Sequence, residues 1–82
     1  SAAQRILLES IAREAGPKGV HAAYVAIDAV IDLAWTREFF ADKPDEFFCQ
    51  PTDIADEVFR IAHQPRSAWS FESVIRPYGE VW

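Results

Sequence analysis

The segment from Val20 to Ile27 is apolar at almost every position, on both of the faces that alternate along an extended chain. Gly16 and Pro17 stand just before it, and this pair ends a helix because proline cannot continue one. Valine, tyrosine and isoleucine favour strands over helices. We therefore predict a strand over 20–27 that is covered on both faces, as in parallel sheets flanked by helices.

Helical periodicity appears on both sides of this strand. Apolar side chains recur at spacings of three and four over residues 2–15, which predicts one helix. A second helix is predicted from Pro51 to about His63, since proline suits the first helical position. Asp53 favours the positive end of that helix.

The region between the two long helices is less regular. Residues 28–33 fit either a strand or a helix, and a short helix is predicted over 35–41. Residues 42–49 are predicted to form a loop that exposes Phe47 and Phe48.

Residues 68–76 alternate between apolar and polar side chains, which predicts a half-buried second strand. The element order is then α-β-α-α-β. A long helical connection between two strands favours parallel pairing with a right-handed crossover. Two parallel strands do not make a self-sufficient sheet. The sequence therefore predicts an α/β fold that is part of a larger sheet or is completed by a partner chain.

The small size of the chain supports the same conclusion. The 82 residues, half of them hydrophobic, suit a single domain over 1–82. A chain of this length buries only about 60–65% of its unfolded surface and is marginally stable alone. Cys49 is the only cysteine, so no internal disulfide can form, and no Cys/His cluster suggests structural zinc. We expect a homodimer or a higher homo-oligomer.

The charge pattern excludes several kinds of partner. The net charge is −5, and the lysines and arginines are scattered among acidic residues, so we expect no nucleic-acid partner. No apolar run approaches the roughly 18 residues of a membrane span, and no secretory signal is recognisable. With a lone thiol, the expected location is the cytoplasm.

Few residues suggest chemistry of their own. Asp28 and Asp32 are compatible with acid/base work or a hard metal ion, but also with an ordinary polar loop after a strand. Cys49 with His21 or His63 is a conceivable nucleophilic pair that lacks a recognisable orienting group. At the end of a helix, a charged His63 would also interact favourably with the helix dipole.

Four segments together resemble the carboxyl-terminal part of the short-chain dehydrogenase/reductase family. The run Ser10–His21 resembles the stretch that follows the family's catalytic Tyr-x-x-x-Lys motif, and Pro51–Ala55 falls where the family has its last helix. Gln64–Glu72 and Arg76–Tyr78 resemble the terminus of a bacterial subset. The resemblance covers the whole chain in order, and it implies a partial Rossmann-like fold.

The resemblance also implies which functional groups this chain lacks. The family's catalytic lysine falls at Ser1 or, in a shifted register, at Gln4, and its tyrosine falls before the chain. The glycine-rich cofactor turn would also precede Ser1. The parent family implies an NAD(P)-dependent oxidoreductase, whereas the isolated chain is expected to hold no cofactor and to be inactive.

By the same resemblance, the cofactor-contacting segment of the family corresponds to Asp28, Ala29, Ile31 and Leu33. The family's Pro-Gly-x-Val-x-Thr pattern is replaced here. Ala29 and Leu33 depart from it most clearly, while an aspartate at position 28 occurs in the bacterial subset.

Two apolar groups remain, and the resemblance assigns an expectation to each. An aromatic group corresponds to the substrate-binding lid of the family, or else simply covers the sheet or a partner: Trp35, Phe39, Phe40, Phe47 and Phe48. Oligomer contacts are expected on the first helix and the last strand: Leu7, Leu8, Ile11, Trp69, Phe71 and Ile75. An alternative is a self-standing, non-catalytic homodimerising module derived from the same fold.

Overall fold

Three helices and four short strands make up residues 2–79, the part of the chain that the computed structural model describes. The helices are α1 (Ala2–Ala15), α2 (Ala34–Phe39) and α3 (Pro51–Ala62). The strands are β1 (Tyr24–Ile27), β2 (Val30–Ile31), β3 (Phe48–Cys49) and β4 (Glu72–Ile75). Single 3₁₀ turns occupy Gly16–Lys18, Asp45–Phe47 and Arg66–Ala68.

The strands form two separate parallel pairs. Strand β1 pairs with β4, with Tyr24 opposite Glu72 and Ile27 opposite Ile75. Strand β2 pairs with β3, with Val30 opposite Phe48. The mixed α/β class and the parallel pairing of the first and last strands are therefore confirmed. The second pair was not predicted, because two-residue strands carry no detectable periodicity.

Both long helices form where periodicity predicts them, but the strands are shorter than predicted. Helix α1 ends at Ala15, and Gly19 then takes a positive φ of 86° while its N–H donates to the Gly16 carbonyl. Only residues 24–27 of the predicted strand 20–27 belong to the ladder, since its partner strand begins only at Glu72.

The described chain does not itself cover the first strand on both faces, and the predicted cover by a larger sheet or a partner chain stays a prediction. No residue of β1 is fully buried, and Ile27 is 40% exposed. The prediction that Phe47 and Phe48 are both exposed is wrong. Phe48 is buried: its backbone pairs with β2, and the Arg37 guanidinium lies 4.1 Å from the centre of its ring.

The buried core is small. Among the described residues the buried side chains are Thr36, Phe48, Cys49 and Ile61, and α1 contributes none. The accessible surface is 6037 Å², whereas a compact monomer of this mass exposes about 5,000 Å². The radius of gyration is 15.4 Å, against about 12 Å for a compact domain of this length. The fold is extended and leaves much apolar surface uncovered.

Helix α1 is attached to the rest of the fold by one well-formed ion pair. The Arg5 guanidinium donates to both carboxylate oxygens of Glu72 on β4, at 2.7 and 3.1 Å. It also lies 5.5 Å from the ring centre of Phe71. The hydrogen bond from Arg5 lowers the pKa of the Glu72 carboxyl. None of the described helices has the length and apolar character needed to cross a membrane.

Candidate functional site

Polar side chains follow all four strands and meet across each parallel pair. Asp28 follows β1 and forms an ion pair with Arg76, which follows β4, at 2.5 Å between Oδ2 and Nη2. Asp32 follows β2 and accepts a hydrogen bond of 2.8 Å from the side chain of Gln50, which follows β3. Because parallel strands align their carboxyl ends, these contacts mark the edge where ligands of open α/β sheets bind.

Arg37 organises the edge of the second strand pair. Its guanidinium donates to both oxygens of Asp32, at 2.7 and 2.9 Å, and to Asp45 at 2.6 Å. The same group lies 4.1 Å from the ring centre of Phe48, a cation–π contact. Hydrogen bonds from Arg37 and then Gln50 lower the pKa of Asp32 to about 2. Asp32 is therefore ionised at neutral pH and is held by Arg37 and Gln50.

A buried hydroxyl fixes the start of helix α2. Thr36 Oγ1 accepts a hydrogen bond of 2.9 Å from the Leu33 N–H and lies 2.5 Å from the Ile31 carbonyl, to which it can donate. Thr36 is only 4% exposed, so its hydroxyl needs these backbone partners. The sequence offered a signal for this contact, since threonine three residues after a helix cap can reach back to the cap.

A cavity lies between the carboxyl ends of β3 and β4. Its volume is about 430 Å³, and Cys49, Gln50, Ile75 and Arg76 are among the residues that line it. A cavity of this size holds a small molecule. The cavity lies between the two strand pairs, because its lining includes residues of β3 from one pair and of β4 from the other.

A second groove, of about 290 Å³, contains three of the four residues matched to the family's cofactor segment. Ala29, Ile31 and Leu33 line it together with the exposed indole of Trp35. Asp28 does not line it and instead pairs with Arg76. The groove is apolar apart from Thr36, and no cationic side chain lines it.

Asp28 and Asp32 do not work as one carboxylate pair. Each is neutralised by a different arginine, Arg76 and Arg37 respectively. Residues 2–79 contain no group of three or more side chains arranged to hold a metal ion. The arrangement favours the structural reading of these aspartates over acid/base catalysis or metal binding.

The histidines are held by other partners, away from the cavity that Cys49 lines. The Nε2 atom of His21 lies 2.8 Å from the Ser70 carbonyl, and its ring stacks on Trp69. His63 contacts the Phe59 carbonyl through Nδ1 and stacks on the Phe59 ring. Neither histidine lines the cavity beside Cys49, so the geometry gives no support to a Cys–His nucleophilic pair.

The aromatic group is mostly one cluster. Phe39, Phe40, Phe47 and Phe48 follow one another with ring centres 5.2 to 5.7 Å apart. Trp35 stands apart from this row and lines the second groove. The row includes Phe48 of β3, and Phe40 lines the second groove together with Val30 and Ile31 of β2.

The residues predicted as oligomer contacts divide into two sets. On α1, Leu7 and Ile11 are exposed and Leu8 is half-buried. Near β4, Trp69, Phe71 and Ile75 are all half-buried against this chain. The α1 positions thus offer the larger uncovered apolar surface.

The chain is a small mixed α/β protein with a cavity between the carboxyl ends of β3 and β4. Comparisons with family models, with curated proteins and with solved structures find no match.

Proposed function

We propose that the chain is the carboxyl-terminal segment of an NAD(P)-dependent oxidoreductase of the short-chain dehydrogenase/reductase type. The observation that carries the proposal is the parallel pairing of β1 with β4, with Asp28 and Arg76 at its carboxyl edge and the 29–33 groove beside it. That is the arrangement expected of the last two strands of a nucleotide-binding sheet. The ordered resemblance of the four sequence segments supports the same assignment.

The residues of this chain do not fit a complete dinucleotide. The 29–33 groove is apolar, has a volume of about 290 Å³ and offers no cation for a pyrophosphate. No glycine-rich turn opens a helix within residues 2–79. In the proposed parent, the cofactor supplies hydride transfer. This segment contributes apolar walls, and no proton donor of its own is identified for the reaction, so we derive no catalytic step from it.

The uncovered surface also supports the proposal. The 6037 Å² of accessible surface exceeds that of a compact monomer by about 1,000 Å². Leu7 on α1 is 64% exposed, and α1 buries no residue. A helix whose apolar side chains are mostly uncovered is the state expected of a segment whose neighbours lie elsewhere in a larger fold.

The reading frame upstream of residue 1 tests this proposal. We expect a Tyr-x-x-x-Lys motif whose lysine falls at or next to position 1, and a glycine-rich turn much earlier. A start codon directly before residue 1, or an unrelated sequence, contradicts it. A titration of NADH fluorescence with the isolated chain gives a second test, because micromolar binding would show that the chain carries a cofactor site after all.

A second candidate function is a self-standing homodimerising module without catalysis. The excess surface favours it equally, since a standard interface buries about 800 Å² on each partner. This candidate predicts a folded dimer by light scattering, with a strong near-UV circular dichroism signal. A monomeric sample with no near-UV signal contradicts the module and agrees with a segment of a larger fold.

A further inference from the structure

Another cavity lies at the amino-terminal end of the β1–β4 pair, opposite the carboxyl ends of the strands described above. Its volume is about 360 Å³. It lies between the turn Gly16–Lys18, with Gly19, and the segment that contains Arg66 and Trp69. The two walls are held together by backbone and side-chain contacts, including His21 to the Ser70 carbonyl.

The geometry of Gly19 lets a guanidinium approach the turn closely. Gly19 adopts a left-handed φ of 86°, a conformation that glycine takes without strain. A Cβ atom at this position would lie 3.5 Å from Nη2 and 3.7 Å from Cζ of Arg66. The guanidinium therefore lies directly over the turn, facing the same cavity as Lys18.

The charges at this cavity are uncompensated. Within residues 2–79, Arg5, Arg13, Arg37, Arg60 and Arg76 each form an ion pair with a carboxylate. Arg66 and Lys18 form no ion pair and no side-chain hydrogen bond in this part of the chain. No acidic side chain lines the cavity. In a chain with a net charge of −5, two cations left together without a carboxylate create a local positive site.

An aromatic wall completes the cavity. Trp69 lines it, and its indole is fixed by a hydrogen bond of 3.1 Å from Nε1 to the Gln64 carbonyl. The His21 ring stacks on the indole with centres 4.6 Å apart and planes 5° from parallel. A rigid aromatic surface beside two cations suits an anion that carries an organic group.

We propose that Lys18, Arg66 and Trp69 form a binding site for a small phosphate monoester. Arginine binds phosphate through two parallel N–H donors, and lysine adds a point charge. The organic group of the monoester packs on the Trp69 side of the cavity. The site is independent of the oxidoreductase assignment, since it lies at the other edge of the sheet.

The glycines provide a direct test by nuclear magnetic resonance. The ¹⁵N-labelled chain is titrated with inorganic phosphate, with sodium chloride of equal ionic strength as the reference. We expect saturable shifts of the Gly16 and Gly19 amides and none at Gly79, which packs against Glu46 elsewhere. Equal shifts in chloride, or no saturable shift at Gly16 and Gly19, overturn the site.

Charge-neutralising variants separate a built site from a general effect of net charge. We expect R66Q to weaken phosphate binding ~10-fold and K18Q to weaken it less, because arginine supplies the paired donors. K43Q is the matched control, since Lys43 is exposed and lies over Phe47 instead. If K43Q weakens binding as much as R66Q, the proposal is rejected.

A comparison of two monoesters tests the aromatic wall. Phenyl phosphate and methyl phosphate carry the same anion, but only the first has a ring to place on Trp69. We expect tighter binding of phenyl phosphate, with a shift of the Trp69 indole N–H resonance. Equal affinities for the two monoesters, with no shift of the indole resonance, contradict the packing of the organic group on Trp69.

Discussion

Helix α1 and the segment from Ile31 to Gln50 differ in how they are stabilised within this short chain. The segment holds three of the four buried side chains, and polar contacts made by Thr36 and Arg37 tie it together. Helix α1 buries no residue and is joined to β4 mainly through Arg5. A few buried groups with satisfied hydrogen bonds can fix an irregular segment, whereas a regular amphipathic helix still needs a surface to pack on.

Loss of the Phe48 ring should destabilise the 31–50 segment more than any other change proposed here. Phe48→Ala should destabilise the fold by about 3 kcal/mol, because a buried phenyl group is lost and a cavity remains. Phe39→Ala is the matched control, since Phe39 is 78% exposed and its loss should change stability little. Urea unfolding followed by circular dichroism measures both. Equal losses of stability in the two variants would contradict the claim that the buried Phe48 ring is central to the core.

Removal of the buried hydroxyl should have the next largest effect. Thr36→Val keeps the shape of the side chain but leaves the Leu33 N–H without its hydroxyl acceptor. We expect a loss of about 1 kcal/mol, the usual net contribution of one hydrogen bond, because Leu33 is 41% exposed and water can partly replace the hydroxyl. Thr52→Val, on the exposed start of α3, should be nearly neutral in the same urea experiment. A neutral Thr36→Val variant would show that the hydroxyl does not hold the segment.

The ion pair of Asp32 with Arg37 makes the stability of the fold depend on pH. The folded-state pKa of Asp32 is about 2, against 3.8 for an unperturbed aspartate. A lowered pKa adds stability that is present above about pH 4 and is lost as the pH falls towards 2. We expect urea midpoints to fall over this range in the wild-type chain and to fall less in Asp32→Asn. Asp42→Asn, which alters an exposed aspartate outside the network, should keep the wild-type slope.

The smallest expected effect concerns α1. Arg5→Gln removes both donors to Glu72 and should loosen the helix without unfolding the rest of the chain. Limited proteolysis with chymotrypsin, which cleaves after leucine, should then cut faster at Leu7 and Leu8. Arg13→Gln breaks a pair with Glu9 on the same helix but leaves the tie to β4 intact, so its cleavage rate should stay close to wild type. Equal rates for the two variants would show that Arg5 does not anchor α1.

The same contrast explains what could be predicted from the sequence. Helices α1 and α3 follow from apolar periodicity and from Pro17 and Pro51, which are local signals. The pairing of β2 with β3 could not be predicted, because each strand has two residues and depends on a partner 18 positions away, as in Val30 with Phe48. The burial of Phe48 depends on that pairing and could not be predicted without it.

The candidate site was predictable only in part. Asp28 and Asp32 were expected after a strand, and both do lie at strand ends. Their arginine partners were not predicted, because Arg76 is 48 positions from Asp28, and the five-residue spacing of Asp32 and Arg37 is not a helical pair. The Lys18–Arg66 cavity also depends on contact between distant segments, and no local motif marks it.

Residue-resolved hydrogen exchange at two protein concentrations tests most directly the claim that α1 lacks a covering surface within this chain. We predict slow exchange of the ordered amides between residues 31 and 50, and fast exchange along α1 in a dilute, monomeric sample. If a second copy of the chain covers α1, the protection of the α1 amides rises with protein concentration. If the covering surface belongs to another part of a longer chain, their protection stays low at both concentrations. Protection of α1 equal to that of the 31–50 segment in a monomer would contradict the account.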